Sequence, residues 1–162
     1  MARRKRVNGP IQRNADGLYE LLISSDERSV IVDLLSQLEM LVADPNNPAV
    51  RRLFPNAYPN DAERNREYVQ LMHDELSASQ IAAISTAQRV LQSDAALSEG
   101  EIMAFMQVVN SLRLVLGTLL DVGENDDELP DPDEPNAASW HLYAYLGWLL
   151  EWIVEELGSQ FS

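Results

Sequence analysis

Apolar and polar residues alternate from Leu18 to Ile23, with Leu18, Glu20 and Leu22 on one side and Tyr19, Leu21 and Ile23 on the other. Pro10–Arg13 precedes this run, and the turn formers Asn14-Ala15-Asp16-Gly17 lie between, a pattern that predicts a β-hairpin. After Ser24 the period becomes helical. Ser24 and Glu27 have capping-box spacing, and Val30, Ile31, Leu34, Leu35, Leu38, Leu41 and Val42 form one stripe. The helix must stop near Asp44-Pro45, because proline has no amide donor and clashes with the preceding turn. Residues 44–60 carry Pro45, Pro48, Pro55 and Pro59 and predict an irregular linker, pinned to the core by Leu53, Phe54 and Tyr58.

Asn60 and Glu63 open a second helix. Its apolar positions Tyr68, Leu71, Met72, Leu76, Ala83, Ala87, Val90 and Leu91 continue toward Gln92, either unbroken or kinked at Ser77–Ser79. Ser98 and Glu101 form a further capping box. The helix behind it buries Ile102, Phe105, Met106, Val109, Leu112, Leu116, Leu119 and Leu120 and ends at Gly123. In residues 121–135 eight of fifteen positions are acidic and three are proline, the composition of a flexible loop.

A last helix is predicted from Ala137 to Leu157. Between Trp140 and Val154 only His141, Gly147 and Glu151 are neither apolar nor aromatic. Such a helix is either central in a core or buried between subunits. Trp140, Trp148 and Trp152 are interface candidates, since tryptophan concentrates at interface centres. The expected fold is mainly α: an N-terminal β-hairpin followed by about four helices packed in one bundle-like domain. That domain spans residues 10–162 with the acidic loop 121–135 inside it, and residues 1–9 form a basic N-terminal arm. A homodimer is expected.

Charge sharpens this picture. The net charge is −14, with eleven of the twelve basic residues in the first 89 positions; from residue 90 onward Arg113 alone accompanies fourteen carboxylates. The second half therefore repels phosphate backbones, and nucleic acid can be met only by the first half, with Arg3, Arg4, Lys5 and Arg6 as DNA-contact candidates. The chain has no cysteine, which excludes thiol catalysis and fits a reducing compartment. No transmembrane helix or signal peptide is expected, because no uncharged apolar run is long enough and the basic start is followed by Val7-Asn-Gly-Pro10. The expected location is the cytoplasm.

The chemistry-bearing residues form no active site. His73 and His141 lie on different helices, so no metal site is expected. An EF-hand starting at Asp121 fails, with Asp126 where glycine belongs. No Gly-x-Ser-x-Gly elbow or phosphate loop occurs; Gly117 and Gly147 sit singly within helices, where they permit close packing. No enzyme and no cofactor are expected. Arg113, between Leu112 and Leu114, is expected to pair with an acid or reach solvent, sharing a network with Asn110.

Three stretches carry a resemblance: Arg51-Arg-Leu-Phe-Pro-Asn-Ala-Tyr58, Val109-Asn-Ser-Leu-Arg-Leu-Val-Leu-Gly-Thr118 and Tyr145-Leu-Gly-Trp-Leu-Leu-Glu-Trp-Ile-Val154. In this order the chain resembles an actinobacterial family of unknown function that includes the AosR-like oxidative-stress transcriptional regulators. The motif positions singled out are Arg51, Arg52, Tyr58, Asn110, Arg113 and Trp148. The resemblance implies a cytoplasmic regulator acting through RNA polymerase, a sigma factor or DNA. The family's frequent gene neighbour, the Clp protease adaptor, implies the alternative of an accessory protein of Clp proteolysis; an enzyme of unknown chemistry is the third. Redox sensing in such regulators is attributed to paired cysteines, which this chain lacks, and no helix-turn-helix is legible.

Overall fold

Asn14 builds the first turn. Its side chain accepts from the amides of Asp16 and Leu18, both at 3.0 Å, and Gly17 supplies the positive φ of 80° that closes the turn. The strands on either side, β1 (Ile11–Arg13) and β2 (Tyr19–Leu21), pair antiparallel with Ile11 opposite Leu21 and Arg13 opposite Tyr19. The alternation works as predicted: Tyr19, Leu21 and Ile23 are buried while Leu18 and Leu22 are exposed. The far edge of β2 is also used, because Tyr19 and Leu97 exchange backbone hydrogen bonds of 2.8 and 2.7 Å.

The computed structural model describes residues 9–44, 47–53, 62–120 and 137–159. After the hairpin come α1 (Ser25–Val42), a 3-10 helix (Pro48–Leu53), α2 (Ala62–Leu91), α3 (Glu99–Leu119) and α4 (Ala137–Ser159). The mainly α expectation holds. α3 lies at the centre, packed against α2, α4 and the 3-10 helix, while α1 packs on α2 and α4 packs on β1. α2 runs unbroken through Ser77–Ser79. The linker holds more order than its prolines suggest: the 3-10 helix buries Ala49 and Val50 and packs Leu53 on the core. Phe54 and Tyr58 lie outside the described residues.

α3 is by length and composition apolar enough to cross a membrane. Its buried side chains, Ile102, Phe105, Val108, Val109, Leu112 and Val115, are instead the centre of this core. Ser111 is buried among them and donates from its hydroxyl to Gln80 Oε1 at 3.1 Å, which satisfies its polar atom between α2 and α3. The helix ends at Leu119 with Leu120 as its cap, before Gly123.

Several stripe positions turn outward. Val30, Leu71 and Leu119 are exposed, while Ile84, Val108 and Val115 carry core positions that the pattern did not mark. α4 is neither enclosed nor uniformly buried: Leu146, Leu149 and Ile153 are in the core, and Trp148 and Val154 stand exposed on the other side.

Candidate functional site

Arg28 holds the hairpin, α1 and α2 together. It lies in the first turn of α1, where a cation opposes the helix dipole, and its guanidinium reaches away from that helix. It donates to the carbonyls of Leu21 (2.8 Å), Leu91 (3.1 Å) and Ser93 (3.1 Å), with longer bonds to Ile23 and Val90. The carbonyls at the end of α2 lack helical partners, and a planar fork of donors meets several at once. Beside it, Ser24 caps α1 by accepting from the Glu27 amide at 3.2 Å. The Glu27 carboxylate does not return to the Ser24 amide as a full capping box would. It accepts from the Ser24 hydroxyl and from the Tyr145 phenol on α4. Burial, and then the hydrogen bond to Glu27, push the Tyr145 phenol well above its ordinary value. The full reciprocal box is at Ser98 and Glu101, where the Ser98 amide holds the Glu101 carboxyl below the usual range.

A second cluster joins the 3-10 helix, α3 and α4. The Arg113 guanidinium lies over the Tyr143 ring, 5.4 Å from its centroid. Arg52 and Tyr143 both lie against Gly117: a Cβ built there would stand 3.2 Å from Arg52 Nη1 and 3.3 Å from Tyr143 Cε2. A Cβ at Gly147 would stand 3.6 Å from Arg113 Nε. Trp140 closes the group with an edge-on contact to Tyr143 at 6.2 Å. Neither Arg52 nor Arg113 has a hydrogen bond or ion pair among the described residues. Among the described residues the half-buried Arg113 meets an aromatic face rather than an acid. Among the described residues no hydrogen bond joins Arg113 to Asn110, whose side chain is exposed.

The three tryptophans separate in role. The Trp152 ring presses on Gly9, where a Cβ would come within 2.5 Å of Cε3, so it anchors the start of the described chain. Trp140 is half-buried against Tyr143. Only Trp148 is open, 45% exposed with Tyr145 beside it at 5.8 Å. His141 is exposed and stands two residues from Tyr143, on the opposite side of α4. Among the described residues no group of three or more His, Asp or Glu side chains could hold a metal ion. Tyr19 has a buried hydroxyl without a hydrogen-bond partner among the described residues. Arg3, Arg4, Lys5 and Arg6, the Arg51 and His73 side chains and Tyr58 lie outside the described residues.

The family described as a domain of unknown function, DUF2017, matches residues 8–157. The chain belongs to this family. It is also 29% identical over 126 residues to proteins named oxidative stress regulator AosR from Mycobacterium tuberculosis (strain ATCC 25618 / H37Rv) and Mycobacterium bovis (strain ATCC BAA-935 / AF2122/97). The alignment covers 68% of this chain and 58% of those relatives, so the chain spans little more than half of their length. No solved structure matches. In this DUF2017 chain the three stretches that carry the resemblance are distant in sequence, and one residue from each of them (Arg52, Arg113 and Gly147) meets in the cluster around Tyr143. Tyr143 itself lies just outside the quoted stretches, and composition did not single it out. Arg28 was missed as well, and Glu27 was marked as a capping residue but not as the partner of Tyr145; the one signal for Arg28 was a cation in a helix's first turn.

Proposed function

We propose that this chain is a non-enzymatic regulatory protein of an oxidative-stress response that binds a protein of the transcription machinery, RNA polymerase or a sigma factor. The observation that carries this reading is its 29% identity to proteins named oxidative stress regulators. Two features of the chain support a protein partner over nucleic acid. The net charge of −14 opposes a phosphate backbone, most strongly beyond residue 90. On α4 the exposed Trp148, backed by Tyr145, offers the aromatic anchor on which protein contacts concentrate their energy. This chain has no thiol, so a redox signal reaches it through its partner or by another chemistry.

The test is an affinity capture of the tagged chain from peroxide-treated cells of its source organism, with nuclease added and the bound proteins identified by mass spectrometry. Polymerase or sigma subunits are expected with the wild-type chain and lost with Trp148→Asp. Recovery of Clp components in their place would substitute the proteolysis-accessory role, and recovery of neither would overturn the proposal.

A further inference from the structure

We propose that the outer side of α4 is a docking surface for this chain's own basic segment, with the cations of Arg3, Arg4, Lys5 and Arg6 meeting the Trp148 ring and the carboxylates of Glu151 and Glu155. The four basic residues lie outside the described residues, but the point from which they leave does not. Gly9 lies directly on the Trp152 ring of α4: a Cβ there would come within 2.5 Å of Cε3 and 2.6 Å of Cζ3. Only glycine lets the backbone approach the ring so closely. β1 begins two residues later and packs on α4 as well. The basic segment is therefore rooted on α4 itself, three residues away from Arg6.

Reach follows from this root. Trp152 is half-buried, at the border between the core side of α4, with Leu149 and Ile153, and its solvent side. Trp148 and Glu155 flank it one turn away in either direction, and both are exposed, as is Glu151. At a rise of about 1.5 Å per residue, these positions lie within roughly 6 Å of Trp152 along the helix axis. An extended chain covers about 3.3 Å per residue, so Arg6 reaches roughly 10 Å from Gly9 and Arg3 roughly 20 Å. The whole of this side is within the segment's range.

Charge and shape fit the same occupant. α4 carries Glu151, Glu155 and Glu156 and no lysine or arginine. Two of these acids stand near its C-terminal end, where the helix dipole favours cations. Trp148 is 45% exposed, and a guanidinium laid on its face is attracted by the ring while its edge keeps N–H donors for a carboxylate. Tyr145, 5.8 Å from Trp148, brings in a further carboxylate, Glu27 of α1. Tethering at Gly9 raises the local concentration of the cations over this surface. Exposed ion pairs are individually weak and screened by salt, so the docked segment is a salt-dependent equilibrium and not a support of the fold. Resting on the reading that Trp148 contacts a protein partner, the docked segment competes with that partner; the docking itself does not depend on that reading.

The chain has no cysteine, so Ala2→Cys gives a single attachment point for a nitroxide label on the full chain. Broadening of backbone amide signals by the label is read by NMR at about 0.02 M and about 0.5 M sodium chloride, which shortens the Debye length from about 20 Å to about 4 Å. Excess broadening at Trp148, Glu151 and Glu155 is expected at low salt and is lost at high salt. The excess at Trp148 is also lost when Glu151→Lys and Glu155→Lys are combined, and when Arg3, Arg4, Lys5 and Arg6 are replaced by alanine. A segment that merely hangs from Gly9 broadens the same neighbourhood whatever the salt or charge, and that result would overturn the docking. Salt-sensitive broadening concentrated on residues 121–135 would overturn it in favour of the acidic loop. No partner protein takes part, so failure here is distinguishable from failure to capture transcription proteins.

Discussion

The phenol of Tyr145 on α4 donates to the carboxylate of Glu27 in the first turn of α1, joining positions 118 residues apart in the chain. The same carboxylate accepts from Ser24, the cap of α1. One acid thus links the start of the first helix to the last. Removing the hydroxyl with Tyr145→Phe is expected to lower stability by about 1.5 kcal/mol, the range for a hydrogen bond to a charged group, read from urea unfolding midpoints. The phenol is pushed above its ordinary value of 10.0. Its contribution is therefore fully present below that pH and is lost as the pH rises through the higher folded value. Carbon-13 NMR of the tyrosine rings should show a late titration that vanishes in Tyr145→Phe.

Arg28 is expected to be the most sensitive charged residue of the fold. Arg28→Lys keeps the charge but replaces a fork of donors by a point. A loss of about 2 kcal/mol is expected for it, and about 3 kcal/mol for Arg28→Ala, from unsatisfied carbonyls on three segments. Equal stability of the lysine variant and the wild type would show that charge, not geometry, is what matters there.

Ser98→Ala should cost about 1 kcal/mol, the usual effect of losing an N-cap. Glu101, held below its ordinary value of 4.5 mainly by the Ser98 amide, contributes stability above that pH and loses it as the pH falls through its lower folded value. Glu101→Gln should therefore flatten the acid limb of a stability–pH curve measured by thermal unfolding. An unchanged limb would assign the acid sensitivity to other carboxylates.

The two tryptophans of α4 that differ most in setting should differ most in effect. Trp152→Ala, which removes the ring seated on Gly9, is expected to cost about 3 kcal/mol. Trp148→Ala should stay within about 0.5 kcal/mol of wild type. Similar losses at both sites in denaturant titrations would contradict the division of α4 into an anchoring side and an open side.

Replacing Arg3, Arg4, Lys5 and Arg6 together by alanine should leave the unfolding midpoint unchanged and abolish any salt-sensitive DNA binding. DNA binding that survives the substitution, measured by fluorescence anisotropy across a salt series, would remove the arm from consideration.

Local signals were legible in the sequence, and partners distant in the chain were not. Asn14 and Gly17 marked the turn, Ser98 with Glu101 marked the start of α3, and the alternation from Leu18 to Ile23 separated the two sides of the strand, because each depends on neighbours within a few residues. Leu71 and Leu119 were misplaced because a 3.6-residue period constrains a stripe loosely at its edges and near helix ends. Arg28 reaches Val90, Leu91 and Ser93 across more than sixty residues, and no periodicity encodes that. At the Tyr143 cluster the sequence marked Arg52 and Arg113 and gave Arg113 either an acid or solvent. The Tyr143 ring under Arg113 follows from the packing of α3 on α4, which no local pattern encodes.

The backbone pair between Tyr19 and Leu97 has a consequence for the order of events during synthesis. The hairpin is made before α2, yet one edge of β2 lacks Leu97 until that residue has left the ribosome, and Arg28 has no helix end to cap until the end of α2 is formed. A nascent chain halted anywhere within α2 holds β2 with one edge still without Leu97, and an unpaired strand edge is a template for pairing with a neighbouring chain. The vulnerable interval in the life of this protein is therefore the translation of its longest helix.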